Sequence, residues 1–245
     1  MSAYSHLAGW YDALTGDVPY DEFADYYEKI FRACGESVST ILDVACGTGT
    51  LTCLLALRGY ETIAVDASEE MLAVAAEKAG DLNGCTPPLL LCQKMTGLDL
   101  YGTVDAAVCS LDGMNYLPDH ELPEVFRRLG LFIASGGILI FDVHSPERLR
   151  SLSGQVFVDE TDDLLCLWRA DFDQGENALV YSMDIFQREG SLWHREFEEH
   201  IEYSHDISML TDMLASAGFT NIIVRTDGPQ NELGRVFISA INRRD

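Results

Sequence analysis

No lysine or arginine precedes Lys29, so the basic start of a secretory leader is missing, and no apolar run approaches the roughly 20 residues a membrane helix needs. Basic residues are scarce throughout: 16 Lys and Arg stand against 40 Asp and Glu, a formal charge of -24. Such a surface repels phosphate backbones and anionic headgroups, which argues against a nucleic-acid or membrane partner. The nearest approach to a basic stripe is the pairs Arg127-Arg128 and Arg243-Arg244. A C-x-x-C pair is also absent, as are a G-x-S-x-G elbow and a P-loop, so a hydrolase elbow and a Walker-type NTPase have no support. The seven cysteines form an odd set, most of them within apolar stretches where a reduced thiol packs as a small hydrophobe. A reducing compartment follows, and the cytoplasm is the expected location.

What is present is an ordinary globular composition, 47% hydrophobic and 23% charged, over 245 residues, enough for one large domain with an elaborated insert. From residue 39 short β-branched runs alternate with helical periods: "STILDV", "LTCLLALRG", "ETIAVD", "SEEMLAVAAEKAG", "PLLLCQ", "VDAAVCS", "ELPEVFRRLGLFIA", "GGILIFDV". That alternation predicts a doubly wound, Rossmann-like α/β sheet with helices on both faces. After Val143 the rhythm changes to "DDLLCLWRADF", "ALVYSMDIFQ" and "LWHREFEEHIEY", separated by turn-rich "DQGEN" and "REGS", an antiparallel meander. A helix "DISMLTDMLASAGF", with Asp206 as its cap and Gly218 as its stop, and two strands, "TNIIVRT" and "GRVFISAIN", close the chain. The expected organisation is a helical amino-terminal segment at 1–38, a core at 39–154 and 204–245, and an antiparallel insert at 155–203. The first segment carries Tyr4, Trp10, Tyr11, Tyr20, Phe23, Tyr26, Tyr27 and Phe31. Two readings of it stand: amphipathic helices packing these rings on the sheet, or a lid with one or two tyrosines touching a ligand.

"LDVACGTGT", residues 42–50, joins a strand ending in a carboxylate to a turn built on two glycines. At the carboxyl edge of a parallel sheet such a turn brings backbone close to a ligand. A dinucleotide fingerprint, G-x-G-x-x-G, needs a third glycine where this chain has Thr52, and Asp43 would repel a pyrophosphate. S-adenosylmethionine brings a sulfonium and an ammonium group and no phosphate, so a carboxylate beside a glycine turn suits it. Asp66 ends the next strand and suits the two hydroxyls of a ribose; its alternative role is to cap the helix that follows.

"LDVACGTGT" followed by "VDASEEML" resembles motifs I and II of the class I S-adenosylmethionine-dependent methyltransferases, and "AGWYDALTGDVPY" resembles the amino-terminal segment of bacterial small-molecule-type members. "CSLDGMNYL" and "GGILIFDV" are similar to their fourth and fifth strands, and "EEHIEYSHDISMLTDMLASAGF" to their last helix. The resemblance implies that Asp43 and the backbone around Ala45, Gly47 and Gly49 hold the methionine part, Asp66 the ribose, and Ala67 and Met71 the adenine. It places Met95 on the ring, Lys94 where many members carry an aspartate, Ser110 and Leu111 beside the methionine end, and Tyr4, Tyr11 and Tyr20 in the covering segment.

If the methyl acceptor must lose a proton, candidate catalytic groups on the loops at the sheet's carboxyl edge are Asp112, Asn115 and Tyr116 in "SLDGMNY" and His144 after "IFDV". The acceptor itself is expected to be a small molecule or a protein side chain. Two other readings are a nicotinamide-dependent oxidoreductase, which Thr52 disfavours, and a non-catalytic cofactor-binding adaptor. In "HREFEEHIEYSH", His194, Glu196, Glu198, His200 and Glu202 share one strand face. They are read as a solvated polar face opposite buried Trp193, Phe197, Ile201 and Tyr203, in preference to a metal site; no metal is expected. Cys46 is read as a small side chain tolerated in a tight turn.

Overall fold

A computed structural model describes residues 7–35, 37–229 and 233–243. Its centre is a seven-stranded sheet built from β1 (Thr40–Val44), β2 (Glu61–Asp66), β3 (Leu89–Cys92), β4 (Val104–Cys109), β5 (Ile133–His144), β10 (Phe219–Arg225) and β11 (Arg235–Asn242), in the order β10-β11-β5-β4-β1-β2-β3. Strands β1 to β5 run parallel, and β11 lies antiparallel to both β5 and β10. The order reverses at β1, so the carboxyl ends of β1, β2 and β4 open a crevice, the place where such sheets bind ligands.

Helices cover both faces. On one, α5 (Leu122–Phe132) and α7 (Ile207–Ser216) set Val125, Phe126, Leu129, Leu210 and Leu214 against Leu139, Phe141 and Ile238. On the other, α2 (Tyr20–Cys34) buries Phe23, Ala24, Tyr26, Tyr27, Ile30 and Phe31 against Ile41, Ile138, Ile140 and Phe237. Pro19 precedes α2 and Gly35, at φ 78, ends it. The packing explanation for the amino-terminal aromatics therefore holds for Phe23, Tyr26, Tyr27 and Phe31 of α2, whereas Tyr11 and Tyr20, the first residue of α2, belong to the crevice described below. Helix α3 (Thr50–Leu57) follows the glycine turn, and α4 (Glu69–Gly80) is capped by Ser68, whose Oγ accepts from the amide of Met71 at 3.1 Å.

The antiparallel region is a separate four-stranded sheet, β6 (Gln155–Glu160), β7 (Leu164–Asp173), β8 (Ala178–Glu189) and β9 (Leu192–Tyr203), paired in sequence order. Helix α6 (Pro146–Leu152) and β6 add to the elements read from sequence. The inner face of this sheet packs Leu164, Cys166, Met183 and Ile185 against Leu7, Trp10, Tyr11 and Leu14, around the four-residue helix α1 (Tyr11–Leu14).

The reading of β9 is overturned. Glu198, His200 and Glu202 are 7%, 3% and 5% exposed, while Trp193, Phe197 and Ile201 are 49%, 50% and 36% exposed. The polar face turns inward because partners wait there. Glu198 Oε1 accepts from the amide of Leu7 at 3.2 Å, Glu198 Oε2 lies 3.1 Å from His200 Nε2, and Glu202 Oε2 lies 3.2 Å from His144 Nδ1. A buried polar group with its hydrogen bonds made carries little penalty. His194, at the outer end of the strand, does stay in solvent. No helix among the described residues is long and apolar enough to cross a membrane.

Candidate cofactor site

A cavity of about 370 Å³ lies at the carboxyl ends of β1, β2 and β4, within the range of about 300–1,000 Å³ usual for small-molecule sites. Strand β1 delivers Asp43 and, past it, Ala45 at φ 55 and Gly47 at φ 56. A Cβ on Gly47 would meet nothing within 4 Å, so this glycine serves the left-handed turn and leaves its backbone bare towards the cavity. Gly49, at φ 72, shares the left-handed conformation and has a second task. It does not line the cavity, and a Cβ there would sit 2.9 Å from Cβ of Ala75, so its bare backbone lets α4 approach the turn.

Thr52, the residue that breaks the three-glycine pattern, donates its hydroxyl to Asp43 Oδ2 at 2.5 Å. Burial nevertheless raises the Asp43 carboxyl to about 7; the Thr52 bond acts the other way and the Asp66 charge adds to the rise. Asp66 accepts the amide of Gly47 at 2.9 Å on one oxygen and that of Ser68 at 2.9 Å on the other. It therefore ties the glycine turn to the end of β2, while Ser68 is the residue that caps α4. Burial raises the Asp66 carboxyl too, and bonds from the backbone of Ser68, Gly47 and Ala67 oppose that rise.

The rest of the lining comes from Met71 on α4, Gln93 to Thr96 after β3, Ser110, Leu111, Gly113 and Tyr116 after β4, and Tyr11 and Tyr20 from the amino-terminal helices. Burial raises both tyrosine hydroxyls above their usual range, so they are neutral donors at physiological pH. Ser110 Oγ is held 2.7 Å from the hydroxyl of Tyr27, a buried residue of α2. Among the described residues the titratable lining is Asp43, Asp66 and Glu121 with Lys94 as its single Lys or Arg, along with Cys46 and the tyrosines. An acidic, partly apolar cleft suits a cationic nucleoside and disfavours a pyrophosphate.

Of the residues read from sequence, Tyr11, Tyr20, Asp43, Ala45, Gly47, Asp66, Ala67, Met71, Met95, Ser110, Leu111 and Tyr116 meet at this cavity, as does Lys94. Tyr4 lies outside the described residues. Asp112, Asn115 and His144 do not line it. Their side chains are engaged in a buried junction behind the loop, which sequence reasoning missed. Asp142 accepts the amides of Leu111 and Asp112, each at 3.0 Å, and pairs with Arg235. Arg235 also reaches Asp112 Oδ1 at 2.9 Å and His144 Nε2 at 3.0 Å. A guanidinium only donates, so Nε2 of His144 is the acceptor and its Nδ1–H points to Glu202. Asn115 takes the amide of His144 at 3.0 Å and donates to the carbonyl of Tyr203 at 2.8 Å. Asp112, His144 and Glu202 lie close enough together to suggest a metal site, but the Arg235 guanidinium already supplies the cation among them. Asp142 lies near the end of "GGILIFDV" and Arg235 opens β11; the hint in the sequence was a charged residue at the end of each apolar run.

The fold and cavity define an α/β protein of the nucleoside-cofactor-binding class. Residues 41–137 match the family model described as a methyltransferase domain. The chain is 31% identical over 246 residues to a Bacillus subtilis (strain 168) protein named "Putative methyltransferase YqeM", covering 97% of this chain and 96% of that one. Among solved structures, an S-adenosylmethionine-dependent methyltransferase from Clostridium acetobutylicum ATCC 824 superimposes with a TM-score of 0.82 at 27% identity, over 97% of this chain and 98% of the other. The sugar N-methyltransferase KedS8 from Streptoalloteichus sp ATCC 53650 shares the fold, with a TM-score of 0.82 at 21% identity over 96% and 93% of the two chains. The chain belongs to the class I S-adenosylmethionine-dependent methyltransferases, with S-adenosylmethionine as its cofactor.

Proposed function

We propose that this enzyme methylates a compact, uncharged or cationic acceptor, a small molecule or a protein side chain, at the tyrosine-lined end of the cavity. The observation that carries this reading is the lining itself: three carboxylates and a single Lys or Arg, Lys94, beside Tyr11, Tyr20 and Tyr116. That lining, with a net charge of -24, disfavours a polyanion. Seven free cysteines agree with a cytoplasmic setting.

The bound cofactor supplies an electrophilic methyl group on a sulfonium. The chain's part is to align and to exclude water. Asp43 and the Ala45–Gly47 backbone would hold the methionine end, the remaining lone pairs of Asp66 would take the ribose, and Ala67, Met71 and Met95 would flank the adenine. Tyr11 and Tyr20 line the cavity from the amino-terminal side, where a ring near the sulfonium would contribute a cation–π attraction of about 0.5–2 kcal/mol. Of the four candidate acid–base groups, Tyr116 borders the cavity and is the one placed to meet an acceptor. Asp112, Asn115 and His144 act through the loop they hold. Residues 1–38, 39–154 with 204–245, and 155–203 serve as cover, cofactor core and insert.

A screen with labelled donor across amines, carboxylates, phenols and thiols tests the acceptor class. Transfer to amines or phenols is expected, whereas transfer to phosphorylated acceptors or tight tRNA binding at physiological salt would contradict the reading. A second expectation concerns pH. A cationic ligand favours ionised Asp43, which in the free protein is protonated below about 7. Binding then releases a proton, so donor affinity rises by at most about tenfold per pH unit from about pH 5.5 to 7 and levels off above. Calorimetry in buffers of different ionisation enthalpy reads both the slope and the released proton. Asp43→Asn should bind weakly with no such slope; an unchanged slope would assign the proton to another group.

A further inference from the structure

Helix α1 is too short to hold itself, since four residues close barely one turn, and it has no buried residue of its own. Its apolar side chains, with Leu7 and Trp10, pack on the inner face of the insert. Part of its polar attachment to the cofactor core runs through Asp12. Asp12 Oδ1 accepts from the hydroxyls of Thr48 at 2.7 Å and Thr50 at 3.3 Å, and Asp12 Oδ2 lies 2.5 Å from Nζ of Lys78. Lys78, on α4, donates to the same two hydroxyls at 3.0 and 2.6 Å. Thr48 and Thr50 flank Gly49 in the cofactor turn and line the cavity, and so does Tyr11, the neighbour of Asp12. One carboxylate and one ammonium thus clasp both hydroxyls of the turn and fix the helix that carries Tyr11.

We propose that Asp12 and Lys78 form an electrostatic latch that holds Tyr11 over the donor cavity, making them positioning residues for cofactor retention. Neither side chain lines the donor cavity. The proposal rests on the reading of this cavity as the donor site. The pair is partly open to water, with side chains 42% and 26% exposed, so salt weakens it. Release of the demethylated product, S-adenosylhomocysteine, is therefore governed by ionic strength through this pair. The shared hydroxyls make the two residues one unit: losing either loosens the tie between the helix and the turn, and losing the second adds nothing.

Stopped-flow displacement of S-adenosylhomocysteine from the full-length protein tests this. Trp10, next to Tyr11, provides the fluorescence reporter, and displacement of labelled ligand serves if it is silent. Asp12→Asn and Lys78→Met should each raise the dissociation rate about five- to tenfold, the double variant no further, and Lys78→Arg little. About 1 M salt should raise the wild-type rate towards that of the variants and leave the variants where they are. Melting of the ligand-free protein should shift by only about a degree or two. Unchanged dissociation in the single variants, additive effects in the double, or a dissociation rate that follows lost melting temperature without salt dependence would overturn the latch. A wild-type protein that does not bind the product at all would instead overturn the donor-site reading on which the latch rests.

Discussion

Asp142→Ala is expected to destabilise the fold by about 3–5 kcal/mol, the cost of breaking a buried ion pair from one side. Asp142 is 0% exposed, and its carboxylate does three things at once: it pairs with Arg235 and accepts the amides of Leu111 and Asp112. Those two residues sit at φ 56 and 54, a left-handed conformation that costs of order 1–3 kcal/mol for a side-chain-bearing residue unless its surroundings impose it. Without the acceptor the two amides that fix that shape lose their partner. Because Ser110, Leu111, Gly113 and Tyr116 line the cavity, donor affinity should fall as well. Asp142→Ala combined with Arg235→Met should be less destabilised than the sum of the single variants, since no charge is then stranded. Urea unfolding of the set reads this directly; a loss below about 1 kcal/mol for Asp142→Ala would mean the loop is held by other contacts.

Asp66→Ala is the second large effect. Its carboxylate holds the amides of Gly47 and Ser68 and keeps further lone pairs for a ribose diol. Removing it should weaken donor binding by about 1–3 kcal/mol, roughly 5- to 150-fold. The ligand-free protein should lose about 1 kcal/mol as well, because two backbone donors lose an acceptor at a partly buried site. Asp66→Asn keeps one acceptor oxygen and should fall between. Were the role of Asp66 confined to local structure, stability would fall and the donor affinity of the folded fraction would not.

The alternation of β-branched runs and helical periods was enough to read the parallel sheet, because both periods come from backbone geometry and survive in any surroundings. The cofactor turn was legible for a similar reason: the positive φ of Gly47 and the strand-end carboxylates leave a short, local pattern. Strand β9 was legible as a strand and misread in orientation. Period-2 alternation says that two faces differ; it does not say which one is inside. The prior that apolar faces turn inward failed because Leu7 meets Glu198 across 191 positions of sequence and His144 meets Glu202 across 58, in pairings that no local window contains. The same distance hid Arg235 from Asp112, 123 residues away, so loop residues that looked like acid–base candidates are the members of a structural junction. Gly49 shows the limit from the other side, since part of its need for a bare backbone comes from Ala75 on the next helix, which no local pattern reveals.

The placement of the cofactor is tested most directly by calorimetric titration of S-adenosylhomocysteine into the wild-type protein and Asp66→Ala side by side, at a temperature where both are folded. One site per chain is expected in the wild type, with binding at least fivefold weaker in the variant. No binding to the wild type, equal binding by the two proteins, or tight binding of a nicotinamide dinucleotide in its place would contradict the placement of the cofactor at the end of β1 and β2.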